Sequence, residues 1–175
     1  AVKSAGGVMY TAHSEDDYVP MNVPKAQNLI QARVHKLIPE CDVYINVPVL
    51  KHHGGAAMTC AMKNFMGVVW DRGFMHQNDL QRCIAESVFI RPPDLNVVDA
   101  YRVMTRNGPR GVNASDVVMP KMLLMGRDIV ALDTAAAKQA GFDTGAIGHL
   151  AWGEQLGLGT GNLDTLYIKR IVLNG

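Results

Sequence analysis

A nearly continuous apolar run, DVYINVPVL from Asp42 to Leu50, limits the possible fold more than any other feature of this chain. A strand with one face in water alternates polar and apolar residues, whereas an unbroken run of Val, Ile, Tyr and Leu is typical of a strand covered on both faces. Such strands belong to sheets on which helices pack. The sequence therefore predicts an α/β domain with three layers, in which helices cover both faces of a mostly parallel or mixed central sheet.

Short β-rich runs alternate with helical patterns along the rest of the chain, as this class of fold requires. Further strands are predicted at Gly7–Ala12, Tyr18–Val23, Pro93–Tyr101, Lys121–Gly126 and Leu163–Gly175. Helices are predicted at Ala32–Glu40, Met58–Met66, His76–Val88, Thr144–Leu156 and between a capping Asp128 and a terminating Gly141. The methionines of the Met58–Met66 segment recur at helical spacing, so we assign them to the core.

Length and composition exclude several classes of protein. The 175 residues, of which 48% are hydrophobic, suit one globular domain over the whole chain, 1–175. A net charge of +1 gives no field that would attract nucleic acid. No apolar run approaches the roughly 20 residues that span a bilayer. We expect a soluble protein, either cytoplasmic or exported in a processed form.

The cysteines and the first residues of the chain carry two further expectations. The three cysteines are far apart and form no C-x-x-C pair, which argues against an iron–sulfur cluster within this chain and against a disulfide framework. The chain begins with AVKSAGG, without an initiator Met and with the glycines typical of a helix end. We therefore expect it to be the C-terminal part of a longer domain.

Charged or metal-ligating side chains follow three of the predicted strands. The Asp42 strand leads into Lys51, His52 and His53, another ends near Asp99, and the Lys121 strand leads into Asp128. In open α/β sheets, ligands bind at the carboxyl ends of the strands. If the three strands are parallel, these side chains converge at one edge of the sheet.

The segment from Lys51 to Lys63 allows two kinds of site. In the first, a tight turn at Gly54–Gly55 and the side chains of Lys51, Thr59 and Lys63 hold a phosphate or carboxylate. In the second, His53 or His52 ligates a divalent transition metal, and Asp99, Asp128 or His76 completes the shell. Each histidine has a structural alternative as a hydrogen-bonded side chain.

Other candidates have structural alternatives of their own. Asp128 suits a helix cap, and Asp133 lies on an apolar helix where a buried carboxylate needs a partner. The glycine-rich and arginine-rich segment Arg106–Ser115 is a loop that either closes over an anion or lies in solvent.

Three ordered motifs resemble the domain of unknown function 362 family: INVPVLKHHGGAAMTCAMKNFMGVV, LNVVDAYRVMTRNGPRG and LLMGRDIVALDTAAAKQAGF. The family patterns Pro-x-Leu-Lys-x-His, Ala-x-Lys-Asn, Asn-Gly-Pro and Asp-x-x-Ala-x-Asp fall on Pro48, Lys51, His53, Lys63, Asn64, Asn107, Gly108, Asp128 and Asp133. The resemblance implies an association with ferredoxin-type iron–sulfur modules and favours His53 over His52 as the inward residue. This chain departs from such members because it has no ferredoxin cysteine cluster.

Three functions follow as hypotheses. The first is a redox-associated domain that binds a small anionic ligand, with or without a metal, through Lys51, His53, Thr59, Lys63, Asn64, Asp99, Asn107, Gly108, Asp128 and Asp133, of which His53, Asp99 and Asp128 are the metal candidates. The second is a non-catalytic module that docks a ferredoxin-like partner. The third and weakest is a metal-dependent racemase or isomerase. The sequence does not decide whether the protein is an enzyme.

Overall fold

The computed structural model describes residues 1–173, and it has the predicted α/β class. The strands are β1 (Tyr18–Asn22), β2 (Gln31–His35), β3 (Ile45–Asn46), β4 (Val49–His53), β5 (Ala57–Thr59), β6 (Leu95–Met104), β7 (Val117–Val118) and β8 (Met122–Gly126). The α-helices are α1 (Leu37–Glu40), α2 (Ala61–Asn64), α3 (Arg72–Gln77), α4 (Leu80–Ser87), α5 (Ile129–Ala140) and α6 (Gly148–Gln155). A six-stranded mixed sheet with these helices fits a three-layer α/β fold.

The long strand β6 is the centre of the six-stranded sheet. On one side it pairs in parallel with β3 and then β4, and on the other it pairs in antiparallel fashion with β8 and then β7. β5 folds back on β4 as an antiparallel hairpin. β1 and β2 form a separate two-stranded ribbon. The sheet is therefore mixed, and β8 runs against β4 and β6.

One face of the six-stranded sheet carries the core. Alternate residues of β6, including Val98 and Ala100, are fully buried together with Leu50 of β4. α5 packs against β6 and β8, α2 and α6 pack against α5, and α4 packs against α2 and α6. Met58, Met62 and Met66 join this cluster, so the assignment of the methionines to the core is confirmed.

The opposite face of the sheet carries exposed apolar side chains around Asp99. Ile45, Leu123 and Met125 are 51%, 61% and 64% exposed, and Val49 and Tyr101 lie on the same face. Within residues 1–173, these five side chains are about half exposed or more. We call these five residues the open face.

Several predicted elements take a different form. Ala32–Glu40 is not one helix, because Gln31–His35 pairs along β1 as a strand and only Leu37–Glu40 is helical. The Asp42 run is divided into β3 and β4 at Val47–Pro48.

The two terminal strands that the sequence predicts are not formed in the described part of the chain. Gly7–Ala12 has no regular structure. Leu163–Thr165 is a 3₁₀ turn, the residues from Leu166 to Leu173 have no regular structure, and the last two residues of that prediction lie outside the described residues. No helix within residues 1–173 has both the length and the apolar character that crossing a membrane requires.

Candidate functional site

The β4–β5 hairpin positions the first group of candidate side chains. Lys51 lies directly opposite Thr59, and His53 lies opposite Ala57. Opposite residues of an antiparallel pair project to the same side, so the side chains of Lys51 and Thr59 share one side of the hairpin. The Thr59 Oγ1 atom is buried and has no hydrogen-bond partner among the described residues.

His53 is held in one tautomer by the turn that follows it. Its Nδ1 atom accepts hydrogen bonds from the backbone N–H groups of Gly55 and Ala56, both at 3.2 Å. The neutral ring must then carry its proton on Nε2. A metal bound at Nε2 would need that proton on Nδ1, where the two backbone donors already point. His53 is therefore better suited to donate a hydrogen bond than to ligate a metal.

The charge around His53 is positive. Burial lowers the pKa of His53 to about 4, and the charges of Lys63, His76, Lys51 and His52 lower it in that order of size. Since the ordinary pKa of histidine is about 6.5, the imidazole is neutral at physiological pH. His53 is therefore an N–H donor rather than a proton carrier at that pH.

Lys63 is a buried cation without a counter-ion. Its residue is only 8% exposed, and its Nζ donates to the Sδ atom of Met66 at 3.3 Å, a weak acceptor. Burial lowers its pKa, and the charges of Lys51 and Arg72 lower it further. No carboxylate in the described part of the chain forms an ion pair with Lys51, Lys63 or Arg72. An ammonium in this position is normally paired.

We call Lys51, His53, Lys63, Arg72 and His76 the cationic cluster. Three elements supply them: β4, α2 and α3. Arg72 and His76 are four residues apart on α3 and share one helix face. The sequence predicted Lys51, His53 and Lys63 at one site and named His76 as an alternative, but it gave no signal for Arg72.

Sequence reasoning missed a further buried imidazole, which pairs with Gln81 of α4. His149 of α6 is fully buried, and its Nδ1 pairs with Oε1 of Gln81 at 2.7 Å. Burial lowers its pKa to about 3, with a smaller contribution from the charge of Lys63. The same Gln81 oxygen accepts the His149 backbone N–H, so it is an acceptor and Nδ1 carries the proton. The buried Nε2 atom keeps its lone pair and has no partner among the described residues.

The Asn-Gly-Pro loop lies directly against the hairpin. The Gly108 N–H donates to Nδ1 of His52 at 3.0 Å, and the Gly54 N–H donates to the Gly108 carbonyl at 3.2 Å. A Cβ atom at Gly108 would be 1.9 Å from the His52 carbonyl oxygen, so only glycine fits there. Asn107 donates through Nδ2 to Asp116 at 2.9 Å. Gly108 therefore contacts the hairpin directly, and Asn107 holds the loop that carries Gly108.

Asp116, which sequence reasoning missed, organises that loop. Its carboxylate is 1% exposed and accepts hydrogen bonds from the backbone of Val112 and Asn113 and from the side chains of Asn107 and Arg106. The Val112 N–H, followed by these other donors, brings the pKa of Asp116 to about 2 against the effect of burial. The loop is fixed by hydrogen bonds to one carboxylate.

Asn64 and Asp133 have structural partners. Asp133 is fully buried and accepts the backbone N–H groups of Ala61 and Met62 at 2.7 and 3.0 Å, which caps α2. Burial nevertheless raises its pKa to about 6. Asn64 donates to the Oδ1 atom of Asn46 at 2.7 Å, and Asn46 in turn donates to Asn96 of β6. These two predicted site residues hold α2, and hence Lys63, in place.

The structure corrects the predicted position of Asp99 and Asp128. β8 is antiparallel, so Gly126 pairs with Asn96 while Lys51 pairs with Met104, eight residues further along β6, or roughly 25 Å at strand spacing. Asp128 is thus at the opposite end of the sheet, where it caps α5 through Ala131 N–H.

Asp99 lies in the middle of the sheet and is exposed beside Leu123. Among residues 1–173, no three His, Cys, Asp or Glu side chains come together in a group that could hold a metal ion. The predicted set of His53, Asp99 and Asp128 is therefore not assembled.

Comparison with known families agrees with the motifs. The model of the domain of unknown function DUF362 matches residues 1–138, most of the chain. The chain belongs to the DUF362 family. A curated relative, the thylakoid-associated protein sll1697 of Synechocystis sp. (strain ATCC 27184 / PCC 6803 / Kazusa), is 29% identical over 134 residues. That alignment covers 72% of this chain and 41% of the relative, so the chain spans less than half of the relative's length. No solved structure matches the chain.

The DUF362 motif residues of this chain fall into two groups. Lys51, His53 and Lys63 belong to the cationic cluster. The others form hydrogen bonds that hold the backbone of the hairpin, of α2 or of α5: Pro48, Asn64, Asn107, Gly108, Asp128 and Asp133. In the first group, Lys51 and Lys63 form no ion pair with a described carboxylate, and the Nε2–H group of His53 is available as a donor.

Proposed function

We propose that this chain binds a small anionic molecule at the cationic cluster beside the β4–β5 hairpin. The observation that carries the proposal is Lys63, a buried ammonium that faces other cations and has only a thioether as its partner. A buried charge without a counter-ion is costly. A bound anion would remove this cost, because each positive charge nearby would then attract it.

Each member of the cluster has a distinct part in the proposed binding. Lys63 and Lys51 neutralise the anion. His53 donates a hydrogen bond from Nε2, which its tautomer leaves protonated. The Thr59 hydroxyl, buried and unpartnered, is a further donor on the Lys51 side of the hairpin. Partly buried charges are screened less by salt than exposed ones, so binding should persist at physiological ionic strength.

Isothermal titration calorimetry with inorganic phosphate and with malonate tests this proposal. The wild-type chain should bind at least one of these anions, and Lys63→Met should weaken that binding at least tenfold while it preserves side-chain length. Lys138→Met, which removes an exposed lysine near the end of α5, is the matched control. The proposal fails if neither anion binds, or if Lys63→Met binds as tightly as the control.

A second candidate function is favoured by the open face. A group of apolar side chains that are about half exposed or more is typical of a surface that contacts another protein. The chain would then be a docking module, and a ferredoxin-like protein is the partner that the family resemblance suggests. Co-elution of the chain with a purified ferredoxin in size-exclusion chromatography tests this. Leu123→Lys combined with Met125→Lys should abolish co-elution, and unchanged co-elution would exclude the open face as the docking surface.

A further inference from the structure

We propose that the outer edge of β8 accepts a strand from a second copy of this chain, and that this strand is the exposed segment Leu166–Leu173. The surface is a sheet edge, so the inference does not depend on the proposed anion site. Three observations carry it: the hydrogen-bonding groups that β8 leaves free, the sequence and exposure of the segment, and the match between the edge and the segment.

β8 is an edge strand with free hydrogen-bonding groups. Among the described residues it pairs with β6 alone. The Asp99 N–H donates to the Pro48 carbonyl at 2.9 Å, on the side of β6 that carries β3 and β4. In an antiparallel pair, a residue whose N–H points away from its neighbour strand lies opposite a residue that does the same. Leu123 lies opposite Asp99, so the N–H and C=O groups of Leu123, and of Met125 two residues later, point to the outer edge. Such edges pair readily with another strand.

The core side of β8 is also incompletely covered. Met122 and Leu124 lie opposite Ala100 and Val98 of β6 and project to the same side of the sheet. Val98 and Ala100 are fully buried, whereas Met122 and Leu124 are only partly buried against the core. A further strand would cover the outer flank of these two side chains. Burial of apolar surface therefore favours an added strand, as the free hydrogen-bonding groups do.

The segment Leu166–Leu173, LYIKRIVL, has the composition of such a strand. All of its residues except Lys169 and Arg170 are apolar or aromatic, and Ile and Val favour extended structure. The segment has no regular structure, and Tyr167 and Val172 are 93% and 85% exposed. Within residues 1–173, one copy of the chain therefore leaves both the segment and the β8 edge uncovered. A second copy presents the same two surfaces, so a two-fold exchange covers both edges at once.

The segment begins beside the carboxyl end of β8. The Thr160 N–H donates to Oδ2 of Asp128 at 3.1 Å, two residues after β8 ends at Gly126, and Leu163–Thr165 packs against α5. Each segment thus leaves its domain next to the edge that receives the partner's segment. At roughly 3.3 Å per residue, the extended segment spans about 26 Å, which is enough to cover the five residues of β8.

Charge indicates the register. Asp99 is an exposed carboxylate beside Leu123, and it forms no ion pair among the described residues. In antiparallel pairing, which is more stable per residue than parallel pairing, Lys169 opposite Leu123 places Tyr167 opposite Met125. Lys169 then lies on the same face as Asp99 and two strand spacings away, roughly 10 Å, a separation that the two side chains can bridge. The register thus joins an aromatic ring to an exposed methionine and a cation to an unpaired carboxylate.

Sedimentation velocity of the full chain over a range of concentrations tests the proposal with a matched pair of proline variants. The wild-type chain should form a dimer. In the proposed register the Lys169 backbone bonds to Leu123, whereas the Arg170 N–H points away from β8. Lys169→Pro therefore removes a hydrogen bond of the added strand and the contact with Asp99, and Arg170→Pro removes neither. Each variant loses one positive charge in a segment without regular structure, so neither should unfold the chain.

We expect Lys169→Pro to raise the dissociation constant of the dimer at least tenfold and Arg170→Pro to change it less than threefold. In hydrogen exchange, protection of the Leu123 and Met125 amides should rise with protein concentration in the wild type and in Arg170→Pro, but not in Lys169→Pro. A wild-type chain that stays monomeric overturns the inference, even if its own segment pairs with β8. Equal effects of the two prolines, a larger effect of Arg170→Pro, or protection that is independent of concentration would also overturn it.

Discussion

Lys63 is a residue that the fold tolerates rather than one that stabilises it. Its ammonium is buried beside other cations, so replacing it with an apolar side chain of similar length should relieve electrostatic cost. Replacing buried charges by apolar groups is often neutral or stabilising. We predict that Lys63→Met raises the free energy of unfolding by about 1 kcal/mol, measured by urea denaturation without added anion.

The matched variant Lys138→Met should change the free energy of unfolding by less than about 0.5 kcal/mol, as exposed substitutions usually do. Combined with the expected loss of anion binding, a gain in stability for Lys63→Met would indicate a residue kept for function. A loss of stability would instead indicate that its aliphatic stem and its contact with Met66 are structural.

The lowered pKa of His53 predicts that the stability of the chain depends on pH. Its folded pKa of about 4 lies below the usual value of about 6.5. As the pH falls from 6.5 to 4, the unfolded chain takes up a proton at this position and the folded chain does not, so stability should fall over this range. Nitrogen-15 NMR should find the Nε2–H tautomer at pH 7 and a titration near pH 4.

Phosphate should move the His53 titration to higher pH, because a bound anion favours the charged ring. His53→Gln should lose this part of the pH dependence of stability. A ring that titrates near pH 6.5, or that carries its proton on Nδ1 at pH 7, would contradict both the tautomer and the donor role.

The β4–β5 hairpin and the Asn-Gly-Pro loop behave as one unit at the scale of elements. Gly108 packs its α-carbon against the His52 carbonyl, where a Cβ atom would clash with backbone rather than with a movable side chain. We predict that Gly108→Ala destabilises the chain by roughly 2–4 kcal/mol and weakens anion binding, because the hairpin that carries Lys51 and His53 must shift. Urea denaturation and phosphate titration measure the two effects.

Gly67→Ala is the control for the previous substitution. A Cβ atom at Gly67 would meet nothing within 4 Å, and the residue lies in a 3₁₀ helix. Its stability and its anion affinity should stay close to those of the wild type. Equal effects from the two alanine variants would mean that the contact between loop and hairpin does not position the site.

Local patterns predicted some elements well and others badly, for physical reasons. The helix between Asp128 and Gly141 was predicted with both its caps, because capping depends on neighbouring residues alone. Ala32–His35 was predicted as helix, yet it pairs with β1 because a partner strand outweighs a weak local propensity. The direction of β8 depends on contacts between distant residues. The sequence therefore gave no basis for separating Asp128 from Lys51.

In the candidate site, too, residues close in sequence were predicted together, and residues brought in by distant contacts were missed. Lys51, His53 and Lys63 are close in sequence, and one hairpin and one short helix were enough to bring them together. Arg72 belongs to a separate helix, α3, which packs against α4, and Asp116 acts through a loop whose closure no local pattern indicates.

At the scale of the whole molecule, one side of the central sheet carries the core, and the other side carries exposed apolar side chains within residues 1–173. Leu123 and Met125 project from β8 on the exposed side, and Val49 and Ile45 lie on the same side beyond β6, whose Asp99 separates Leu123 from Val49. Apolar strands of this kind are normally covered on both faces. The exposed side should therefore bind an apolar probe and limit the solubility of the isolated chain.

The double variant Leu123→Lys, Met125→Lys tests this directly. Both side chains are more than half exposed, so the variant should keep the wild-type free energy of unfolding to within about 1 kcal/mol. Its fluorescence with the apolar dye ANS should fall at least twofold, and its solubility should rise. Val112→Lys changes an apolar side chain that is 77% exposed but lies on the Asn-Gly-Pro loop rather than on a strand of the open face, and it should leave dye binding unchanged. If both variants lose dye binding equally, single exposed side chains rather than a continuous face bind the dye, and the docking function would lose its support.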